Sequence, residues 1–437
     1  MQAHYIDVLA AAQEYFSKKY YTLLAEGDEQ KKLRLKPYLD KYLWEAGYRD
    51  GDIDALTAEA VSELLYRDMA QYGILTNYLN REDLEEININ SWDDVCLTYM
   101  DGRLEKCGGF PSPENAVNIV KRLLENSGMV LDDGTPLAQG HLPGNTRVTA
   151  LKAPLIDEEH GVSASIRLLH PARYDCGALL QSGMATTEMI EFLCACLRYG
   201  ISFVIAGVTS SGKTTLLNAL LETIPNDKRI FTIESGAREL NLIRRGPDGK
   251  ILNNVVHTLS RPSEKQEYDY SQEDLVVASL RYNPDVVCVG EMRDTEAYAA
   301  VEEAMTGHTV VSSIHASAGA GTHMRLALLT QKRFPIDFDI SLLQAAQAFP
   351  VVVYAQKLED YQRKVMDITE CEILPDNTRK YRTLYRYRID HNTVVNGITM
   401  IDGAFEKVNK MSESLRTRLI QGGIPQDLLA RFMGENP

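Results

Sequence analysis

The chain has 437 residues, 44% of them hydrophobic, with Lys+Arg 46 against Asp+Glu 61 and a formal net charge of −15. That length is expected to make about three domains at ~150 residues each, with apolar content for more than one core. The acidic balance argues against a protein whose main task is gripping a nucleic-acid backbone, and no apolar run approaches the ~20 residues needed to cross a bilayer.

The opening MQAHYIDVLAAAQEYF has no basic start and is interrupted by Asp7, Gln13 and Glu14, so it does not read as a secretory signal. A cytoplasmic location is expected, with membrane contact only through partners. Seven cysteines without a CxxC pair point to reduced thiols and no zinc site. Residues 1–75 read as a helical extension, with helical spacing over Tyr5–Tyr21 and Ala55–Tyr72. From 76 to 185 short alternating strands take over, among them EEININ, DVCLTYMDGRLEK with a turn at Asp101-Gly102, TRVTALKAPL and VSASIRLL. With a helix near Glu114–Ser127 they make a small α+β domain. From 186 to 355 strands and helices alternate, which implies a parallel sheet with crossover helices. The remainder, 356–437, holds strand-like runs (VMDITECEIL, YRTLYRYRI) and a helical stretch near Met411–Met433.

ISFVIAGVTSSGKTTLLNALL carries the most chemistry. An apolar strand, Ile201–Ala206, runs into Gly207, Val208, Thr209, Ser210, Ser211, Gly212, Lys213 and Thr214, a full G-x-x-x-x-G-K-[ST], and Thr215–Leu221 continues as a helix. Glycines let successive N–H groups turn onto phosphate oxygens, and the helix N-terminus adds partial positive charge. Lys213 is expected to neutralise the β- and γ-phosphates of ATP, and Thr214 to offer its hydroxyl to Mg²⁺. Hydrolysis needs acid on a second strand. PDVVCVGEMRD ends an apolar run at Gly290-Glu291, and Glu291 is the candidate base that positions water. RIFTIESGAREL places Glu234, with Glu239 behind it, at the same sheet edge, and Glu234 is expected to help hold Mg²⁺ through water. TGHTVVSSIHA sets His308 and His315 at the two ends of a strand, as candidates to sense the γ-phosphate or as hydrogen-bonded structural histidines.

Those four boxes in order resemble the secretion and type IV pilus traffic ATPase superfamily. HLPGNTRVTALKAPL…VSASIRLLH looks most like the tight-adherence (Tad/Flp) pilus branch, CpaF or TadA, with the likeness running from about residue 76 to 355. The resemblance implies a RecA-like P-loop ATPase core preceded by a small α+β, PAS-like domain, assembled as a ring, usually a hexamer. It further implies an inner-membrane platform partner and arginines that reach the phosphates, here Arg147 and Arg167, with Arg261 and Arg293 as further basic candidates. The chain departs from the family pattern at Ser235, where an Asp is usual, and at Arg244–Asn254, which looks like an insertion; the four-cysteine zinc module of type II secretion ATPases is absent. A motor for pilus assembly or protein export is expected. The alternatives are a retraction motor, a nucleic-acid translocase of a conjugation or competence machine, and a non-catalytic nucleotide-gated scaffold.

Overall fold

The computed structural model describes residues 3–20, 34–125, 127–142, 146–168, 175–236, 238–261, 266–395 and 398–434. Of the features expected above, Met1, Gln2, Tyr21, Asn126, Pro143–Asn145, Leu169, His170 and Ala237 lie outside the described residues. The chain divides into two compact units, Met1–His170 and Pro171–Pro437.

In the first unit, helices α1 (Tyr5–Lys19), α2 (Leu35–Glu45) and α3 (Ala58–Ala70) share an apolar cluster that includes Val8, Phe16, Leu39 and Leu65. Thr57 caps α3 by accepting the Ala60 N–H. Behind them stands a six-stranded sheet of β1 (Leu84–Ser91), β2 (Asp94–Tyr99), β3 (Leu104–Cys107), β4 (Leu137–Leu142), β5 (Thr146–Lys152) and β6 (Val162–Arg167). Its order is β3-β2-β1-β6-β5-β4, antiparallel throughout. One face is covered by α4 (Pro113–Glu125), whose Ile119, Val120 and Leu123 pack on Ile87, Ile89 and Val148. Arg122 on that helix donates to the carbonyls of Asp68 (2.9 Å) and Met69 (2.6 Å), satisfying the last turn of α3 and joining bundle to sheet.

The second unit opens with α5 (Cys176–Gln181) and α6 (Thr187–Arg198), the latter capped by Thr186. Then strands and helices alternate: β7 (Phe203–Gly207), α7 (Lys213–Leu221), β8 (Arg229–Glu234), β9 (Asn254–Leu259), α8 (Gln272–Ser279), β10 (Val286–Met292), α9 (Glu296–Met305), β11 (Thr309–Ile314), α10 (Ala320–Arg333), α11 (Phe338–Ala348) and β12 (Val351–Lys357). The chain ends with β13 (Arg363–Ile373), β14 (Arg379–Val395), β15 (Ile398–Lys407), α12 (Glu413–Gln421) and α13 (Gln426–Met433). One nine-stranded sheet results, in the order β15-β14-β13-β12-β7-β11-β10-β8-β9. The six strands from β12 to β9 are parallel, and β13–β15 extend them antiparallel.

Both faces of the parallel part are covered, which is why its strands read as unbroken apolar runs. Phe203 and Ile205 face one cluster with Leu217, Leu220 and Phe432, while Val204 and Ala206 face the other with Val301, Leu326 and Phe349. Strand β9 was not expected. It starts at the end of Arg244–Asn254, a segment closed by a bridge between Arg245 and Ile251. As an edge strand it keeps its residues only half-buried, so its sequence lacks the apolar density of its neighbours.

Candidate active site

The parallel strands β7, β8, β10 and β11 all end at one edge, and four of the sequence motifs meet there. Strand β7 stands beside β11, which separates it from β10, so the loop after β7 and the end of β10 lie about 10 Å apart at ordinary strand spacing. This is the carboxyl edge at which open α/β sheets take their ligands.

The loop Gly207–Lys213 is shaped by contacts that tolerate only small residues. A Cβ on Gly207 would lie 2.2 Å from the carbonyl oxygen of Ala355 on β12 and 2.7 Å from Ser211 Oγ. Ser210 has φ +59° and Gly212 φ +88°, left-handed positions that turn consecutive peptide units and make an anion-binding nest. Ser211, fully buried, donates to the Val208 carbonyl at 2.8 Å. Lys213 is buried as the first residue of α7, and its ammonium donates to the carbonyls of Gly207 (3.1 Å) and Val208 (2.9 Å). Thr214 and Thr215 follow on the first turn of α7, half-buried at the same end.

Glu291 sits on an irregularity of β10, where the pairing with β11 skips between Val289 and Met292. The bulge turns the side chain to the sheet edge. Ser313 Oγ donates to the Gly290 carbonyl at 2.7 Å and pins that distortion. One carboxylate oxygen of Glu291 takes the Arg293 guanidinium. The other, Oε1, lies 3.0 Å from His315 Nε2 and is buried without an aligned hydrogen-bond donor. Burial first, then the Lys213 charge, hold the His315 imidazole below its ordinary pKa, which favours the neutral ring.

Glu234 ends β8 and is 4% exposed. Its Oε1 accepts the backbone N–H groups of Glu239 (2.7 Å) and Leu240 (3.0 Å), while Oε2 is buried without a donor. Burial pushes this carboxyl up to about 7, against the two N–H bonds that favour its anion. Gly290 packs closely beside it: a Cβ there would meet Glu234 Cγ at 3.2 Å, a tight contact. The Thr214 hydroxyl and these two orphaned carboxylate oxygens are the hard oxygen donors that a hydrated Mg²⁺ takes, so the residues fit that ion.

The expectation for His308 is corrected. It precedes β11 at the opposite edge of the sheet, where Ser202, at the start of β7, donates to its backbone carbonyl at 3.4 Å. A six-residue strand separates it from His315, roughly 20 Å at 3.3 Å per residue. Alternation of strand and helix could have shown this, since only the residue after a parallel strand reaches the ligand edge. Arg147 and Arg167 belong to the first unit, where β5 and β6 pair them directly opposite each other. Like charges placed so repel. Glu85 Oε1, 3.9 Å from Arg167, is a distant counter-charge. Of the further basic candidates, Arg293 binds Glu291, while Arg261 forms a backbone bridge with Tyr270 and sets its guanidinium 5.8 Å from the centre of the Tyr268 ring. Two contributors carried no motif: Ala355, whose carbonyl crowds Gly207, and Arg363, whose Nε donates to the Ser210 carbonyl at 2.9 Å.

Among the described residues no helix is long and apolar enough to cross a membrane. Comparison with known families matches residues 116–397 to the model described as type II/IV secretion system protein. The type IV secretion system protein PtlH of Bordetella pertussis is 32% identical over 327 residues, covering 68% of this chain and 93% of PtlH. An uncharacterised protein of Methanocaldococcus jannaschii is 27% identical over 320 residues, 71% of this chain; this chain spans only 56% of its length. Among solved structures, the VirB11 ATPase from the Brucella suis type IV secretion system, in complex with sulphate, is 24% identical with a TM-score of 0.35, covering 67% of this chain and 94% of VirB11. The Legionella pneumophila ATPase DotB is 18% identical with a TM-score of 0.44, covering 81% of this chain and 83% of DotB. Both overlays are too loose to add detail to the site. The match over residues 116–397 is enough: the chain belongs to the type II/IV secretion system protein family.

Proposed function

We propose that this chain is a Mg²⁺-dependent ATP-hydrolysing motor that works as a homo-hexamer on an inner-membrane platform protein. In this reading it powers assembly of a tight-adherence (Tad/Flp) type pilus or protein secretion. The observation that supports it best is the meeting of the Gly207–Thr214 loop, Glu234, Glu291 and His315 at one sheet edge. There the N–H groups of residues 208–213 and the Lys213 ammonium would hold the β- and γ-phosphates, with Thr214 and Thr215 at the helix N-terminus behind them. Thr214, Glu234 and Glu291 would hold Mg²⁺, partly through water, and the ion would supply positive charge against the phosphates. Glu291 would orient and deprotonate the attacking water, and neutral His315 would keep its carboxylate in place without quenching it. Arg147 and Arg167 would be, as the family resemblance implies, the guanidinium groups that stabilise developing phosphate charge. Residues 1–75 serve in this reading as an extension, 76–185 as the arginine-bearing domain, 186–355 as the core, and 356–437 as strands and helices that buttress it. The motor would lie at the cytoplasmic face of the membrane and touch it only through partners.

ATP turnover, nucleotide binding and particle mass of the wild type, Lys213→Ala and Glu291→Gln test this. Lys213→Ala should lose binding, whereas Glu291→Gln should bind ATP and turn it over about 10²-fold more slowly. The wild type should have the mass of six subunits, and added DNA should leave its rate unchanged. Equal rates for wild type and Glu291→Gln would remove Glu291 from catalysis, and DNA-stimulated turnover would favour a nucleic-acid translocase.

A further inference from the structure

We infer that Arg363, outside all four motif boxes, is a positioning residue that holds the phosphate loop in its anion-binding shape; the inference rests on the ATPase reading of the same site. Strand β12 ends beside Gly207 through the Ala355↔Gly207 pair, and the chain then turns back so that Arg363 opens β13 opposite Lys357. This brings the half-buried Arg363 over the loop. Its Nε donates to the Ser210 carbonyl at 2.9 Å, and its Cδ lies 3.3 Å from where a Cβ on Gly212 would be.

Ser210 is the loop's one non-glycine residue with positive φ, a conformation disfavoured by its Cβ. In a trans peptide C=O and N–H point in opposite directions. Fixing the Ser210 carbonyl against the guanidinium therefore fixes the Ser211 N–H toward the other side, within the nest. The arginine also brings a second cation to a loop whose other charge is Lys213. The next residues of β13 anchor the same region. Lys364 Nζ donates to the Gly183 carbonyl and Val365 N–H to the Met184 carbonyl, each at 2.8 Å, and Met184 Cε would meet a Cβ on Gly212 at 3.2 Å. The loop is thus braced by chain some 150 residues downstream.

Arg363→Met keeps the stem over Gly212 and deletes donor and charge; Arg363→Lys restores both in part. A fluorescent ADP analogue reports binding, steady-state ATP hydrolysis reports KM and kcat, and thermal melting reports folding. Arg363→Met should weaken ADP binding and raise KM about tenfold, as expected for one charge-assisted hydrogen bond, with kcat within about twofold and an unchanged melting temperature. Arg363→Lys should recover most of that loss. Wild-type affinity in Arg363→Met would overturn the inference. So would equal loss in both variants with a lowered melting temperature, because that describes a packing residue. Absence of ADP binding by the unsubstituted chain would overturn the ATPase reading itself, and this inference with it.

Discussion

Replacing Gly207 with alanine tests whether the phosphate loop is held by strand packing or only by its own conformation. The new Cβ would stand 2.2 Å from the Ala355 carbonyl oxygen, closer than any real contact of that kind, and 2.7 Å from Ser211 Oγ. Ser211 can rotate, but the Ala355 oxygen is backbone, fixed because β12 pairs with β7 at Ala355↔Gly207. Relief therefore needs about 1 Å of separation between the two strands at the point where the loop begins. Overpacking of this kind costs about 1–3 kcal/mol, which in a unit of this size lowers Tm by about 3–10 °C. The loop moves with its first residue, and a misplacement of about 1 Å can cost about 10²-fold in function. Gly207→Ala should thus fold, melt a few degrees lower, and bind nucleotide at least about 10²-fold more weakly, by calorimetric titration and scanning calorimetry. Wild-type affinity with an unchanged Tm would refute the argument, because the loop would then not be set by its fit against β12.

Two further outcomes follow from the same geometry. His315→Ala should reduce kcat by removing the group beside Glu291, while His308→Ala, at the far edge of the sheet, should leave turnover within about twofold. Rate measurements on the two variants decide it, and equal losses would contradict the placement of His308. His323 is fully buried, with Nε2 2.8 Å from the Phe349 carbonyl and Nδ1 3.1 Å from the Tyr381 hydroxyl. Burial lowers its pKa to about 4, so its contribution is present above the unfolded value near ~6.5 and is lost as pH falls through about 4. The loss should reach about 3 kcal/mol; urea midpoints of wild type and His323→Gln should converge as pH is lowered from 7.5 to 4.5, and parallel curves would refute the assignment.

Much of the site was legible in the chain because its chemistry is local. A phosphate cradle needs a strand, a glycine-spaced loop and a helix in succession, and all three lie within Ile201–Leu221. The place of Glu291 at the sheet edge was equally readable from the apolar run before it, though not the bulge within β10 on which it sits. The extent of the sheet was not local. Strands β13–β15 join the sheet of the core through β12, and β9 forms an edge whose residues need not be apolar. The end of β11 that meets the loop after β7 was readable from the alternation of strand and helix, but the tertiary structure alone decided that β11 stands between β7 and β10. It alone set Arg147 opposite Arg167, which depends on the register of two antiparallel strands. Glu234 shows the same division: its position was readable, but its bond to the Glu239 and Leu240 N–H groups depends on how the chain turns after β8. Arg363 reaches Ser210 only because β12 and β13 fold back beside β7, and no spacing within a sequence records a contact between chain segments that far apart.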